Sequence, residues 1–341
     1  MTTGVVLSLT GDGCVRRREF IKIVAGSAVS WPLTGHGQQQ TAPIVGWLNS
    51  GTPRTFAKFL KAFQQGLREQ GYVEGRNLAI VYRWAEGHFD ELDAFANELV
   101  ADGVALIAAT GGARSAQAAK NATPTIPIVF VLGVDPVKLG LATTFNNPGG
   151  NITGLTIITT ELATKRLSLL YDLDPGIRNA AILVNPEAPT ADVEIDSQRF
   201  AANSTGRPFF VFKASSDSEI DNAFASAVEQ KVRALVISAD PFFMTRRPKI
   251  VGLAASRKMP VMYPFREFVD DGGLMSYGPS LAKAYYKAGI YAGRILNGAK
   301  PSDLPIERPE AFEFLINLKT AKTLGLTIPS GVLAIADEVI E

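Results

Sequence analysis

Apolar runs and segments of helical periodicity alternate along the chain from about residue 43 onward. The run PIVGWL predicts a buried strand over 43–48, and the next segment spaces Phe56, Phe59, Phe63 and Leu67 three and four residues apart, which predicts a helix. The alternation repeats about every 30 residues, and its strands are continuous apolar runs. Such a pattern is typical of a parallel sheet covered by helices on both faces.

The segment FNNPGGNITGLT, residues 145–156, interrupts this rhythm, which then restarts. The sequence therefore predicts an α/β fold of two Rossmann-like, doubly wound parallel-sheet lobes joined by crossover strands. The later segment GGLMSYGPS predicts a strand that crosses back, and a long helix follows from about Leu281 to Asn297. We accordingly assign 43–154 and 276–310 to a first lobe, and 155–275 and 311–341 to a second.

Ahead of the first strand, three arginines at 16–18 precede a short apolar run and a glycine-rich polar exit. The run is too short to cross a bilayer, which takes roughly 20 apolar residues, but it suits the core of an export signal. The stretch RREFIK at 17–22 resembles the twin-arginine export motif. We therefore predict a twin-arginine export signal over 1–37, cleaved near Gly37 and Gln38, with 1–14 as a doubtful upstream extension.

Two other interpretations of this segment remain open. A surface helix would need a polar face, which the apolar run lacks, and its glycines and Pro32 are poor helix formers. A lipoprotein anchor at Cys14 would need a basic region before the cysteine, and the residues there are neutral or acidic.

Composition removes several kinds of chemistry. The net charge of +1 makes nucleic acid and an anionic membrane surface unexpected partners. The chain has two histidines and one cysteine, and removal of the predicted signal would leave His88 alone and no thiol. A cysteine nucleophile, a zinc site with its usual ligands and, except through His88, a Ser-His-Asp triad are then excluded. We expect neither a cofactor nor a metal.

Open parallel sheets bind ligands outside the carboxyl ends of their strands. There this sequence places amides, hydroxyls, glycine-rich turns and two Asp-Pro dipeptides. Each type also has a structural role, because Asn and Ser cap helices, Asp-Pro forms turns, and aromatic residues fill cores as well as stacking on flat ligands. The ligand-binding candidates are Asn49, Ser50, Trp84, Thr110, Gly111, Gly112, Asp135, Asn185, Asp240 and Tyr263.

Several blocks resemble a known family. The twin-arginine leader, DPVKLGLATTFNNPGGNITG from residue 135, REFVDDGGLMSYGPS from 266 and FEFLINLKTAKTLGLTIP from 312 are similar to ABC transporter substrate-binding proteins of the TrpX type. The similarity covers essentially Ile44 to Glu341. It implies the type I periplasmic binding protein fold, a ligand held between two lobes that close on it, and a membrane permease as partner. Members with an assigned ligand bind aromatic amino acids.

The sequence thus predicts a periplasmic solute-binding component of an ABC importer that captures a small ligand, either an aromatic amino acid or another carboxylate. Its partners would be that ligand, the permease in the inner membrane and, during export, the twin-arginine translocase. Two alternatives stay open. A periplasmic sensor subunit needs the same closure, and a two-lobed α/β enzyme is disfavoured by the shortage of histidine and cysteine.

Overall fold

The structure is a computed structural model that describes residues 42–158, 160–309 and 311–341. The predicted signal at 1–37 therefore lies outside the described residues. Over the described ranges the chain forms two α/β lobes, each built on a mostly parallel sheet, which confirms the predicted fold class. Within these ranges no helix combines the length and apolarity that crossing a bilayer takes.

The first sheet has five parallel strands in the order β2-β1-β3-β4-β5. They are β1 (Ile44–Asn49), β2 (Ala79–Trp84), β3 (Leu106–Thr110), β4 (Ile128–Leu132) and β5 (Ile152–Thr156), and the helices between them are α1 (Pro53–Glu69), α2 (Leu92–Ala101) and α3 (Ala113–Ala122). The strand order reverses between β1 and β3. The carboxyl ends of these two strands therefore border the crevice in which doubly wound sheets bind ligands.

The second sheet has the order β12-β11-β10-β9-β8-β6-β7. Its strands are β6 (Ala180–Val184), β7 (Phe209–Lys213), β8 (Leu235–Ile237), β9 (Val261–Tyr263), β10 (Met275–Pro279), β11 (Phe312–Asn317) and β12 (Glu338–Ile340). Strands β6 to β10 repeat the parallel pattern of the first sheet. Strand β11 runs antiparallel to β10, and β12 runs parallel to β11.

The remaining helices lie mostly in the second lobe. They are α4 (Ala163–Leu173), α5 (Ala191–Asn203), α6 (Asp217–Glu229), α7 (Pro241–Thr245), α8 (Arg247–Ser256), α9 (Arg266–Asp270), α10 (Leu281–Leu296), α11 (Leu318–Leu324) and α12 (Ser330–Leu333). Helix α10 is the exception, because it packs on α1 in the first lobe.

Strand pairing moves the lobe boundaries by a few residues from the sequence-based division. That division placed 276–279 in the first lobe, whereas β10 lies in the second sheet, where Ser276 pairs with Tyr263. It also placed 155–156 in the second lobe, whereas Leu155 pairs with Val131 in the first sheet. The crossing points therefore follow the strands, at about Ile157 and Ser280.

Local sequence explains where α1 begins. Thr52 adopts an extended conformation, and its side-chain oxygen accepts a hydrogen bond from the N–H of Thr55 at 3.2 Å. Pro53 follows at the first helical position, where its missing N–H costs nothing. The helix ends before Gly71, whose φ of 92° suits glycine. These signals place the amino end of α1 directly after the carboxyl end of β1.

Helices α1 and α10 touch through glycines. A Cβ atom added to Gly66 would overlap the carbonyl oxygen of Tyr286, and one added to Gly289 would overlap that of Phe63. On this contact Tyr285 stacks on Phe59 with ring centroids 5.0 Å apart. The close approach of the two backbones therefore fixes α10, and the tyrosine that it carries, to the first lobe.

We predict that Gly66→Ala destabilises the protein by about 2–3 kcal/mol, because the added methyl group forces the helices apart. Gly252→Ala is the matched control: Gly252 also lies within a helix, and a Cβ atom there meets no described atom within 4 Å. The control should gain about 0.5–1 kcal/mol from helix propensity. Urea unfolding measures both values, and equal effects of the two substitutions would contradict the proposed role of the contact.

Candidate functional site

The carboxyl ends of β1 and β3 are held together by buried polar side chains. Asn49 donates from Nδ2 to Oγ1 of Thr110 at 2.9 Å, and its Oδ1 accepts the N–H of Gly51 at 2.7 Å. Ser50 donates from its hydroxyl to the carbonyl oxygen of Gly111. Asn49, Ser50 and Thr110 therefore position the Gly111 loop, and they do so from behind the interlobe cavity.

The Gly111 loop leads into α3 at the cavity and lies close to Pro241 of the second lobe. The N–H of Gly111 donates to the hydroxyl of Tyr285 at 3.2 Å, which joins this loop to α10. Gly112 precedes α3, and no described side chain caps the helix there. The first N–H groups of α3 thus lack intrahelical partners, and with the helix dipole they favour an anion.

In the second lobe the rim is built around Asp240, which follows β8. Its Oδ1 accepts hydrogen bonds from Nδ2 of Asn185 at 3.2 Å and from the N–H of Phe242 at 2.8 Å. Asp240 is 8% exposed, and burial raises its pKa although Asn185, the Phe242 N–H, Arg114 and Arg246 act in the opposite direction. A carboxylate held this way is a strong acceptor for a ligand cation.

The two rims border a small, partly open cavity of about 60 Å³. Its lining is mostly apolar and aromatic, with one carboxylate. The lining residues are Phe56, Gly111, Gly112, Val131, Leu132, Gly133, Ile157, Ala239, Asp240, Pro241, Met244, Phe265, Leu281 and Tyr285. An apolar pocket with a few convergent polar groups is the usual form of a small-molecule site.

The lobes touch each other around this cavity. Arg114, in α3, donates from Nη2 to the carbonyl oxygen of Glu187 at 2.6 Å. Lys58, in α1, is 3.4 Å from Oδ2 of Asp270 in α9. A Cβ atom on Gly112, whose φ is 111°, would lie 2.9 Å from Cγ of Pro241. The structure is therefore a closed arrangement, and only glycine fits where α3 meets the second lobe.

In the structure the ligand-binding candidates form three groups: residues that line the cavity, residues buried behind it, and residues that do not border it. Gly111, Gly112 and Asp240 line the cavity. Asn49, Ser50, Thr110 and Asn185 are buried behind it, where Ser50 bonds to Gly111, Asn185 bonds to Asp240, and Asn49 bonds to Thr110.

Trp84, Asp135 and Tyr263 are not among the described residues that line the cavity. Trp84 packs on Trp47 at 5.8 Å, Tyr263 stacks on Phe268 at 4.8 Å inside the core, and Asp135 accepts N–H groups within its own turn. In this closed arrangement both aromatic candidates therefore pack within the protein.

Several lining residues escaped the sequence reasoning. Phe56 and Tyr285 lie on helices whose apolar periodicity explains them as core, and Met244 lies in α7, a single turn of helix. Phe265 directly follows the strand-end residues Tyr263 and Pro264, so the strand-end rule points to its loop. For Phe56, Tyr285 and Met244, only the three-dimensional structure shows that they line the cavity.

Two larger concavities lie elsewhere. One, of about 250 Å³, borders the connections between the lobes, and its described cations Lys283, Lys287 and Arg308 are each ion-paired with a glutamate. The other, of about 540 Å³, is a polar groove between α4 and α5. The first of these touches the end of β5 and the start of α10 at Ser280. The interlobe cavity gathers the carboxyl ends of four strands, β3 and β4 from the first lobe and β8 and β9 from the second, so it is the candidate site. In the described residues no cluster of His, Cys, Asp and Glu suits a metal ion.

A family model described as ABC transporter substrate binding protein matches residues 54–340. The chain belongs to this family. A curated relative in Clostridioides difficile (strain R20291), named tyrosine-binding protein, is 30% identical over 271 residues, which is 79% of this chain and 77% of that protein. As a member of a solute-binding family, this ABC transporter substrate-binding protein has a small-molecule ligand and a membrane permease as the partners that the family implies.

Solved structures of similar proteins support the fold in detail. A conserved domain protein from Vibrio cholerae has 25% identity and a TM-score of 0.80. An ABC domain from Streptococcus pneumonia in complex with L-Trp has 27% identity and a TM-score of 0.78. The ligand-free, open structure of a substrate binding protein with adhesive properties from Clostridium difficile has 26% identity and a TM-score of 0.63. Each comparison covers 87% of this chain and 99% of the other.

The buried carboxyl group of Glu267 lies in α9, the helix whose Asp270 contacts Lys58 of the other lobe, and its burial costs free energy. Glu267 is 5% exposed, and neither of its carboxylate oxygens accepts a hydrogen bond from another described residue. Burial raises its pKa, although Lys58 and Arg247 act in the opposite direction. Because the folded-state pKa is raised, this group contributes stability below its ordinary pKa and loses it as the pH rises.

We predict that Glu267→Gln makes the protein more stable at pH 8, by about 1–3 kcal/mol, because a neutral amide is cheaper to bury than an unpaired carboxylate. The gain should shrink as the pH is lowered toward 5, because the raised pKa lets the wild-type carboxyl take up its proton at a higher pH than an exposed glutamate does. Thermal unfolding between pH 5 and 8 measures the effect. Glu229→Gln, at an exposed position near the end of α6, should leave the pH profile unchanged. A wild-type pH profile in Glu267→Gln would rule out the raised pKa.

Proposed function

We propose that this chain is the extracytoplasmic solute-binding subunit of an ABC importer and that it holds an amino acid with an aromatic side chain between its lobes. The observation that carries the proposal is the single buried carboxylate, Asp240, in a cavity otherwise lined by apolar and aromatic groups. A zwitterion with a large apolar side chain matches that lining in both charge and polarity.

The two charged ends of such a ligand have complementary partners on opposite lobes. Asp240, in the second lobe, would accept hydrogen bonds from the ligand ammonium group. The uncapped start of α3 at Gly112, in the first lobe, would donate backbone N–H groups to the ligand carboxylate. Because each lobe contacts a different end, the complete set of contacts forms only when the lobes are close together.

The apolar part of the ligand would lie among Phe56, Phe265, Tyr285 and Met244. Aromatic rings prefer edge-to-face and offset contacts with one another, and a methionine adapts to a ring edge. The relative named tyrosine-binding protein and the L-Trp complex of the Streptococcus domain support an aromatic side chain.

Closure would be part of the binding reaction. A cavity of about 60 Å³ is well below the roughly 300–1,000 Å³ of typical ligand pockets, so both entry and binding of an aromatic amino acid would require the lobes to lie further apart than they do here. The higher TM-score to the L-Trp complex, 0.78 against 0.63 to the open structure, supports a closed conformation here. A ligand that contacts both rims then shifts the population toward closure, and the permease would recognise that state.

We predict that Asp240→Asn weakens binding of L-tyrosine and L-tryptophan by about 30-fold or more, because it removes the charge that faces the ligand ammonium group. Isothermal titration calorimetry on the refolded chain from Gln38 onward measures the dissociation constants. Asn185→Ala should have a smaller effect in the same direction, since Asn185 only orients Asp240.

Asp135→Asn is the matched control, because it removes the same charge at another strand end that does not border the cavity. Its Oδ1 accepts the N–H groups of Val137 and Lys138 at 2.9 and 3.2 Å, so its role is confined to its own turn. It should bind with wild-type affinity. Unchanged affinity in Asp240→Asn, with an intact fold, would remove Asp240 from the site.

Export of the protein through the twin-arginine translocase, with cleavage near Gly37 and Gln38, completes the proposed role and places the mature chain in the periplasm. We predict that replacing Arg17 and Arg18 together by lysine leaves the precursor in the cytoplasm of a bacterium that has this translocase. Cell fractionation and amino-terminal sequencing of the exported form measure the outcome. Export of the double variant at the wild-type rate would contradict this route.

A further inference from the structure

A buried arginine and a buried glutamate lie behind the second-lobe loops that border the cavity. Arg166, in α4, is 2% exposed, and Glu194, in α5, is 5% exposed. Neither belongs to the described residues that line the cavity. Burial of either charge alone is costly, and a buried pair is worth keeping where it specifies a geometry. Their hydrogen bonds indicate which geometry that is.

Arg166 reaches two segments of backbone from behind. Its Nε donates to the carbonyl oxygen of Tyr277 in β10 at 2.8 Å, and its Nη2 donates to that of Pro264 at 3.5 Å. Pro264 directly precedes Phe265, which lines the cavity. The guanidinium group therefore ties the loop that carries Phe265 to the neighbouring strand.

Glu194 forms a hydrogen bond with the loop that carries Asp240. Its Oε2 accepts the N–H of Ala239 at 3.3 Å, and Ala239 lines the cavity directly before Asp240. Burial raises the pKa of Glu194 to about 7, although Arg166 and the Ala239 N–H act in the opposite direction. Burial likewise lowers the pKa of Arg166 to about 10, and Glu194 opposes that shift. Each side chain is thus bonded to a different loop, and the charge of each partly offsets the effect of burial on the pKa of the other.

We propose that Arg166 and Glu194 are positioning residues, which together hold the Ala239–Pro241 and Pro264–Phe265 loops in the geometry that receives the ligand. This inference rests on the proposed interlobe ligand site. Substitution of either residue leaves every group that faces the ligand chemically intact. Any change in affinity would therefore come from the placement of the loops.

The ionisation of Glu194 supplies a readout that a purely structural role would not move. The charges that act on Glu194 are those of Arg166 on α4 and Asp240 after β8. The elements packed around it also carry Lys165, Tyr171 and Asp172 on α4, Glu161 before α4 and Lys213 at the end of β7, while β6 contributes none. Glu161 is paired with Arg308 at 3.7 Å, and Lys213 is exposed. As the pH falls from 8 to 6, Glu194 gains a proton and loses its attraction to Arg166, so ligand affinity should fall.

The first experiment measures the affinity of Glu194→Gln for L-tyrosine and L-tryptophan between pH 6 and 8. At pH 8 the variant should bind about three- to tenfold more weakly than the wild type, and at pH 6 the two should converge. A variant whose affinity parallels the wild type over the whole range would overturn the proposal.

Variants of the arginine separate positioning from packing. Arg166→Met should weaken binding at least as much as Glu194→Gln, and Arg166→Lys should recover part of the loss because it keeps the charge. Arg207→Met is the control, since Arg207 lies over the ring of Tyr171 at 4.0 Å, away from the cavity. If Arg166→Met does not fold, the nearly isosteric Glu194→Gln still decides the question.

A measurement without ligand tests the loops directly. Amide hydrogen exchange at pH 7.5 should be faster over 238–242 and 263–268 in Glu194→Gln than in the wild type, with the rest of the second lobe unchanged. Unchanged exchange there would overturn the positioning role, whatever the ligand is. Failure of the wild type to bind either amino acid would instead contradict the proposed function and leave the exchange result valid.

Discussion

The approach of α1 to α10 through Gly66 and Gly289 is the constraint on which the cleft depends. The chain leaves the second sheet at β10 and must return to the first lobe, and it does so as α10. Because the two backbones are in direct contact, Tyr285 is carried to the carboxyl end of the first sheet, where the N–H of Gly111 donates to its hydroxyl. The contact between α1 and α10 thus places Tyr285 in the lining of the candidate site. It also fixes the position of one of the segments that connect the lobes.

In the second lobe the main constraint is a set of buried carboxyl groups near the rim, which water no longer solvates. Asp240, Glu194 and Glu267 all have pKa values raised by burial. Asp240 and Glu194 have backbone N–H donors, whereas Glu267 has none from another described residue. The loop from Ala239 to Phe242 supplies backbone donors to Glu194 and Asp240, which offsets part of the cost of burying their carboxyl groups.

The sequence predicted the architecture because the local pattern of apolar residues determines which segments form strands and which form helices, and the order of these elements indicates the fold. The strand-end rule likewise pointed to Asp240 and to Gly111 and Gly112, which lie after strands. Periodicity could not distinguish Tyr285 on α10 from an ordinary core residue, since both face inward. Trp84 was a candidate stacking surface because of its place at a strand end; it lies in β2 and packs on Trp47, and its role in ligand binding stays a prediction.

The charge of Asp240 also limits which solutes would close the lobes. Closure brings Arg114 of the first lobe near enough to lower the pKa of Asp240, and Arg246 of its own lobe acts in the same sense. Neither arginine is among the hydrogen-bond donors to its carboxylate, so the attraction only partly offsets burial. A ligand with an ammonium group adds a cation and a donor at the carboxylate itself, whereas a sugar would close the lobes over a charge that it cannot neutralise. Under the proposed function, discrimination for amino acids over neutral solutes would therefore follow from the desolvation of one carboxylate, before any contact with the ligand side chain is considered.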